Sequence, residues 1–292
     1  MAEQTQIRLA DGRSLDVWEA GAASGPVLLY HHGTPSSGLP DPALSDALSR
    51  RGMHYASFSR AGYGSSSRRP GRSIADVVDD ARAVLDAMGA ATAHVLGWSG
   101  GGPHALACAA LMPQRVRGTA LIGGVAPYPA EGLDWFDGMG AENIEEFQAA
   151  IAGPQTLIGY KERAWQSFRD IAPEEVAEGL GDLVDEVDRG SIKGEFVGWM
   201  AASWHEALRE SYWGWFDDDL AFAKPWGFDV ARIPGPVHIW QGDHDRMVPF
   251  AHGAWLSANV GGACAHLHQG HGHLTLAVDS LDLILDELLD AG

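Results

Sequence analysis

Residues 94–111 read His94-Val95-Leu96-Gly97-Trp98-Ser99-Gly100-Gly101-Gly102-Pro103-His104-Ala105-Leu106-Ala107-Cys108-Ala109-Ala110-Leu111, and this stretch decides the fold. An apolar run ends in glycine, a serine follows among small residues, and a helix-like run begins directly behind it. A serine on so sharp a strand-to-helix turn is lifted off the end of an α/β sheet, where its hydroxyl is presented as a nucleophile. Glycine belongs at the flanking positions because the serine backbone is strained and a Cβ there would meet the adjacent strand or helix. The helix behind Ser99 also turns its positive end and free N–H groups to where an oxyanion would form.

On either side of this turn, short apolar runs alternate with helical patterns, as in repeated βα units around a buried parallel sheet. The expected strands are Ile7–Leu9, Ser14–Glu19, Val27–Tyr30, His54–Phe58, His94–Leu96, Gly118–Ile122, Val237–Gln241 and Cys264–His268. Helices are expected over Pro42–Arg51, Ser73–Met88, Pro103–Met112, Phe250–Asn259 and Leu274–Leu289, the last with Leu281, Ile284, Leu285, Leu288 and Leu289 on one face. The alternation stops over residues 128–232, which read as helical throughout and hold seven of the eleven tryptophans. A helical insertion of 128–232 into a core formed by 1–127 and 233–292 is the simplest account.

The 292 residues are 46% hydrophobic and 20% charged, an ordinary balance for a globular protein with a sizeable core. Net charge is −19, of which the insertion, with 22 acidic and 8 basic residues, contributes −14. Such a surface opposes phosphate backbones and anionic membranes, so neither nucleic acid nor membrane is an expected partner. Cys108 and Cys264 lie far apart in apolar stretches and read as buried structural thiols. The opening Met1-Ala2-Glu3-Gln4-Thr5 has neither a basic start nor an apolar segment behind it, and the expectation is a cytoplasmic protein. Oligomeric state is not written in the sequence.

A serine nucleophile needs a base. Catalytic groups gather at the carboxyl ends of parallel strands, and the last strand runs into Gln269-Gly270-His271-Gly272-His273. His273, opening the final helix after a glycine, is the favoured base, with His271 as its rival. His266, His268, His271 and His273 lack cysteine or carboxylate partners at ligand spacing, so a metal reading is set aside. An orienting carboxylate is expected in Gly242-Asp243-His244-Asp245-Arg246-Met247-Val248-Pro249. Asp245 clears the strand end and is favoured; Asp243 is expected to tie the loop. Preorganised donors at the developing charge, worth roughly 3–4 kcal/mol each, come from the backbone N–H groups of Thr34, in His31-His32-Gly33-Thr34-Pro35, and of Gly100. His32 is expected to bind loops together through hydrogen bonds rather than to shuttle protons.

With these motifs in view, the chain resembles the α/β-hydrolase superfamily over essentially its whole length, in the cap-bearing branch of esterases, proline iminopeptidases, perhydrolases, dehalogenases and epoxide hydrolases. His32-Gly33-Thr34-Pro35 is similar to the family's oxyanion loop, Ser59-Arg60-Ala61-Gly62-Tyr63-Gly64-Ser65 to its Asp-x-Arg-Gly-x-Gly-x-Ser loop, and the elbow, Asp245 and Gly272-His273 follow in the family's order. The resemblance implies an α/β fold: a mostly parallel eight-stranded sheet, helices on both faces, and a helical cap inserted before the seventh strand. It also implies Ser99, Asp245 and His273 as the catalytic set, Thr34 and Gly100 as the oxyanion hole, and no cofactor or metal. Departures narrow the branch. Ser99 stands where dehalogenases and epoxide hydrolases carry aspartate, Ala61 replaces a glycine, and the His-Gly-Gly-Pro-Gly and Trp-Gly-Gly-Ser forms of iminopeptidases are absent. No acid follows the strand Gly118–Ile122 before Glu131.

The expected function is hydrolysis of a carboxylic ester through an acyl-enzyme, on an apolar small to medium ester or lactone. Gly33 and Trp98 are expected to border the substrate, and the cap's aromatic residues to form much of the pocket while most of its tryptophans pack as core. Two alternatives are an iminopeptidase-like aminopeptidase, with Glu195 or Glu206 holding a free amino group, and a ligand-binding protein of the same fold without turnover.

Overall fold

A computed structural model describes residues 2–290. In chain order, the core begins with strands β1 (Glu3–Arg8), β2 (Ser14–Gly21) and β3 (Val27–His31), helix α1 (Pro42–Arg50), β4 (His54–Phe58) and α2 (Val77–Ala87). It continues with β5 (Ala93–Trp98), α3 (Gly102–Leu111) and β6 (Val116–Ile122). Six helices follow before the sheet resumes: α4 (Ala141–Ala152), α5 (Pro154–Phe168), α6 (Val176–Gly179), α7 (Glu186–Arg189), α8 (Gly194–Leu208) and α9 (Trp213–Phe222). The chain closes with β7 (Val237–Gly242), α10 (Phe250–Asn259), β8 (Ala263–His268), α11 (His273–Asp279) and α12 (Leu281–Asp290).

The eight strands form one sheet in the order β1-β2-β4-β3-β5-β6-β7-β8, parallel from β4 to β8 and antiparallel at β1 and β2. Alternate residues of each central strand feed two cores because both faces are covered by helices. Leu29, Val95, Leu121 and Ile239 pack with α2, α3 and α10, while Leu28, Tyr30, Leu96, Ile122 and Trp240 pack with α1, α11 and α12.

Two expectations are corrected. The final helix is two, broken at Ser280, where the backbone leaves helical geometry and lets α12 turn its leucines onto the sheet. Cys108 is buried, but Cys264 is exposed, because the edge strand β8 has no neighbour on its outer side. Among the described residues no helix is long and apolar enough to cross a membrane.

Candidate active site

Ser99 sits where β5 gives way to α3, with a φ of 55°, the one positive φ outside glycine among the described residues. Conformations of this kind cost about 1–3 kcal/mol and persist only where the surroundings enforce them. Here packing does so: a Cβ on Gly101 would stand 2.7 Å from the His31 carbonyl carbon, and one on Gly97 would stand 2.8 Å from Ala105 Cβ. Gly100 lies against Thr34, where a Cβ would come within 2.8 Å of Thr34 Cβ. The two expected oxyanion donors therefore belong to adjoining backbone segments.

The loops after β7 and β8 meet beside Ser99. His273 Nδ1 donates to Asp245 Oδ2 at 2.7 Å, both side chains being buried. The remaining capacity of Asp245 is filled by Gln241 Nε2 at 2.9 Å, Met247 N–H at 2.9 Å and Val248 N–H at 2.8 Å. Burial alone would depress the His273 pKa, but Asp245, with Asp188 further off, outweighs it and holds the imidazole above its ordinary value. The rivals lie apart from this pair. Asp243 accepts from Gly270 N–H at 2.7 Å, tying the loop as expected, and the His271 ring bonds the Gln269 carbonyl at 3.0 Å and stands edge-on to His268. Gly123, at the end of β6, has a φ of 54°, and a Cβ on it would stand 2.7 Å from the His273 ring, so the pair needs a glycine there.

Two buried aspartates from the inserted helices support the site, and neither was singled out from the sequence. Asp188 accepts from the backbone N–H groups of His273 (2.8 Å), Leu274 (3.0 Å) and Thr275 (2.9 Å), and from Thr275 Oγ1 (2.6 Å). It satisfies the free donors at the start of α11, the helix that presents His273, and its charge faces the positive end of that helix. Asp218, on α9, accepts from Arg60 Nη2 (2.7 Å), Arg72 Nη1 (2.7 Å), Tyr63 Oη (2.8 Å) and Thr34 Oγ1 (2.9 Å). Burial would raise its pKa, but Arg60 and Arg72 hold it well below the carboxylate range. His32 also ties loops: Arg60 N–H donates to its Nε2 at 3.1 Å, so its proton is on Nδ1, which donates to the Gly33 carbonyl at 2.8 Å. The run Asp217-Asp218-Asp219 inside an otherwise aromatic and apolar helix is the signal that marks Asp218.

Ser99, Trp98, Gly33, Thr34 and His273 line one cavity of about 140 Å³ between the sheet's carboxyl edge and the inserted helices. Its walls are mainly aromatic and aliphatic, from Phe168, Leu180, Leu183, Trp199, Met200, Trp204 and Met247. Trp98 stacks between His273 (5.7 Å) and Trp199 (5.9 Å). Of the seven tryptophans in the insertion, Trp199, Trp204 and Trp215 reach the cavity. Glu195 and Glu206 do not: Glu195 is exposed at the start of α8, and Glu206 pairs with Arg209 at 3.2 Å. The acids on the wall are Glu142 and Glu146, and Glu146 accepts from the buried Lys161 at 2.6 Å and from Trp215 Nε1 at 2.6 Å.

Comparison with known proteins identifies the fold family. A family described as alpha/beta hydrolase fold matches residues 26–270. The chain is 25% identical to a non-heme haloperoxidase of Rhodococcus erythropolis, over 98% of this chain and 99% of that protein. It is also 25% identical to a bifunctional esterase/perhydrolase of Acinetobacter calcoaceticus, over 84% of this chain and 83% of that one. The crystal structure of a hydrolase from Pseudomonas aeruginosa superposes with a TM-score of 0.72 at 22% identity, covering 98% of each chain.

Proposed function

The chain belongs to the alpha/beta hydrolase fold family, and on that premise we propose that it is a cofactor-independent serine hydrolase that cleaves a carboxylic ester with an apolar acyl group. The observation that carries this reading is the His273–Asp245 pair, whose imidazole lines the same cavity as the strained Ser99. With Nδ1–H committed to Asp245, His273 keeps its lone pair on Nε2. That nitrogen takes the proton as Ser99 Oγ attacks the ester carbonyl, and the imidazolium then protonates the leaving alkoxide. The Thr34 and Gly100 N–H groups receive the oxyanion. Water, deprotonated by the same imidazole, attacks the acyl-enzyme, and the acid leaves as Ser99 recovers its proton.

The inserted helices serve as a cap in this reading. The aromatic walls exclude water and favour an uncharged acyl chain, which suits a small to medium ester or lactone. A second reading is favoured by the relative named an esterase/perhydrolase: hydrogen peroxide replaces water in the second step and the acyl group leaves as a peracid. The product formed from p-nitrophenyl butyrate in the presence of peroxide, butyrate or its peracid, distinguishes the two. Ser99→Ala should abolish turnover of either kind and also the mass increase after a fluorophosphonate probe, while leaving the thermal transition in place. Labelling at another residue, or full activity in the variant, would reject the assignment.

A further inference from the structure

His238 on β7, His266 on β8 and Glu287 on α12 each present one ligand-type atom, all within 4.8 Å of one another, and none of the three lines the Ser99 cavity. The sequence places His266 in a run with His268, His271 and His273, where no suitable partner follows. Strand pairing supplies different neighbours. His238 is in register with Cys264 and Trp240 with His266, so the two histidines stand diagonally on the sheet face that α12 covers.

From this geometry we propose that His238, His266 and Glu287 form a binding site for a divalent zinc-type ion that fastens the C-terminal helix to the edge of the sheet. His238 Nδ1 and His266 Nε2 share a hydrogen bond at 3.1 Å, whose proton an ion bound between them would replace. The ring centroids are 5.3 Å apart with planes at 21°, so the rings meet nitrogen to nitrogen instead of face to face. A tetrahedral ion with bonds of about 2.0–2.1 Å holds its ligand atoms roughly 3.3–3.4 Å apart. The two imidazoles thus already stand at ligand spacing, and each ring has only to turn its lone pair towards a shared point. Glu287 makes no ion pair among the described residues, and its flexible arm on α12 can close the remaining gap.

The surroundings favour this use. His266 lies flat on Trp240, with centroids 4.0 Å apart and planes at 3°, a contact that is kept as the ring turns in its own plane. The His238 ring makes one hydrogen bond, from Nδ1 to His266, and its Nε2 is buried without a partner, so an ion bound at Nδ1 would displace no other contact of that ring. Two nitrogens and one carboxylate oxygen, with an open position for water, suit Zn2+, and Ni2+ or Cu2+ as stronger-binding probes.

The test is calorimetric titration of the chelator-treated full chain with zinc chloride. One site of defined stoichiometry is expected, accompanied by a rise of several degrees in Tm. His266→Ala and Glu287→Gln should each weaken that site, the former by at least 100-fold, whereas His271→Ala, in an exposed loop, should not. Ni2+ should quench the part of the fluorescence that Trp240→Phe removes. Equal zinc affinity in the wild type, H266A and the conservative surface variant E287Q would overturn the proposal, as would loss of the site in H271A alone.

Discussion

His273 holds its proton more firmly than a free imidazole because Asp245 outweighs the cost of burial. The reaction proposed here needs the neutral ring, so kcat/KM should rise with pH through a value above the ordinary one of about 6.5. Asp245→Asn removes the charge and leaves the burial, so the same limb should move to lower pH. The amide then turns an N–H towards Nδ1 and favours the wrong tautomer, with a fall in kcat of roughly 10³–10⁴. A pH–rate profile of both proteins checks direction and size together, and an unmoved limb would refute the pairing. At this scale much was legible. The turn at Ser99 is written in its small neighbours, and the loops holding His273 and Asp245 follow from strand ends. The choice between positions two residues apart came from family likeness, since sequence does not show which side chain turns inward.

Elements supply what single residues do not reveal. Strands and core helices announce themselves by period, and their expected spans agree with the fold to within a few residues, except where Ser280 divides the last helix. The partners of the site were hidden for a different reason: Asp188 and Asp218 lie 85 and 184 residues from His273 and Thr34, which they bind. No local pattern encodes such pairings, and only the buried aspartates of α9 hint at one. Asp218 receives two buried guanidinium groups, so Asp218→Asn leaves Arg60 and Arg72 poorly compensated. A loss of about 3–5 kcal/mol in stability is expected, measurable by urea unfolding, whereas an exposed control such as Asp134→Asn should change little. A near-neutral D218N would show that α9 is held to the core chiefly by its apolar contacts.

Across the whole molecule, charge is unevenly spread. Five acids of the insertion, Glu146, Asp188, Asp217, Asp218 and Asp219, are buried, and most of the others are exposed. An anionic ester should therefore be turned over with lower kcat/KM than a neutral ester of equal size at about 10 mM salt, and the gap should narrow near 0.5 M as the field is screened. A ratio independent of salt would place the selectivity in the cavity wall instead. The clamp formed by Asp188 has a wider consequence. Its carboxylate belongs to the roof, but the backbone it grips belongs to the floor. Any swing that lifts this part of the roof to admit a bulky guest lets go of the helix start beneath the imidazole. Entry for such a guest and alignment of the base would then be opposed through one carboxylate.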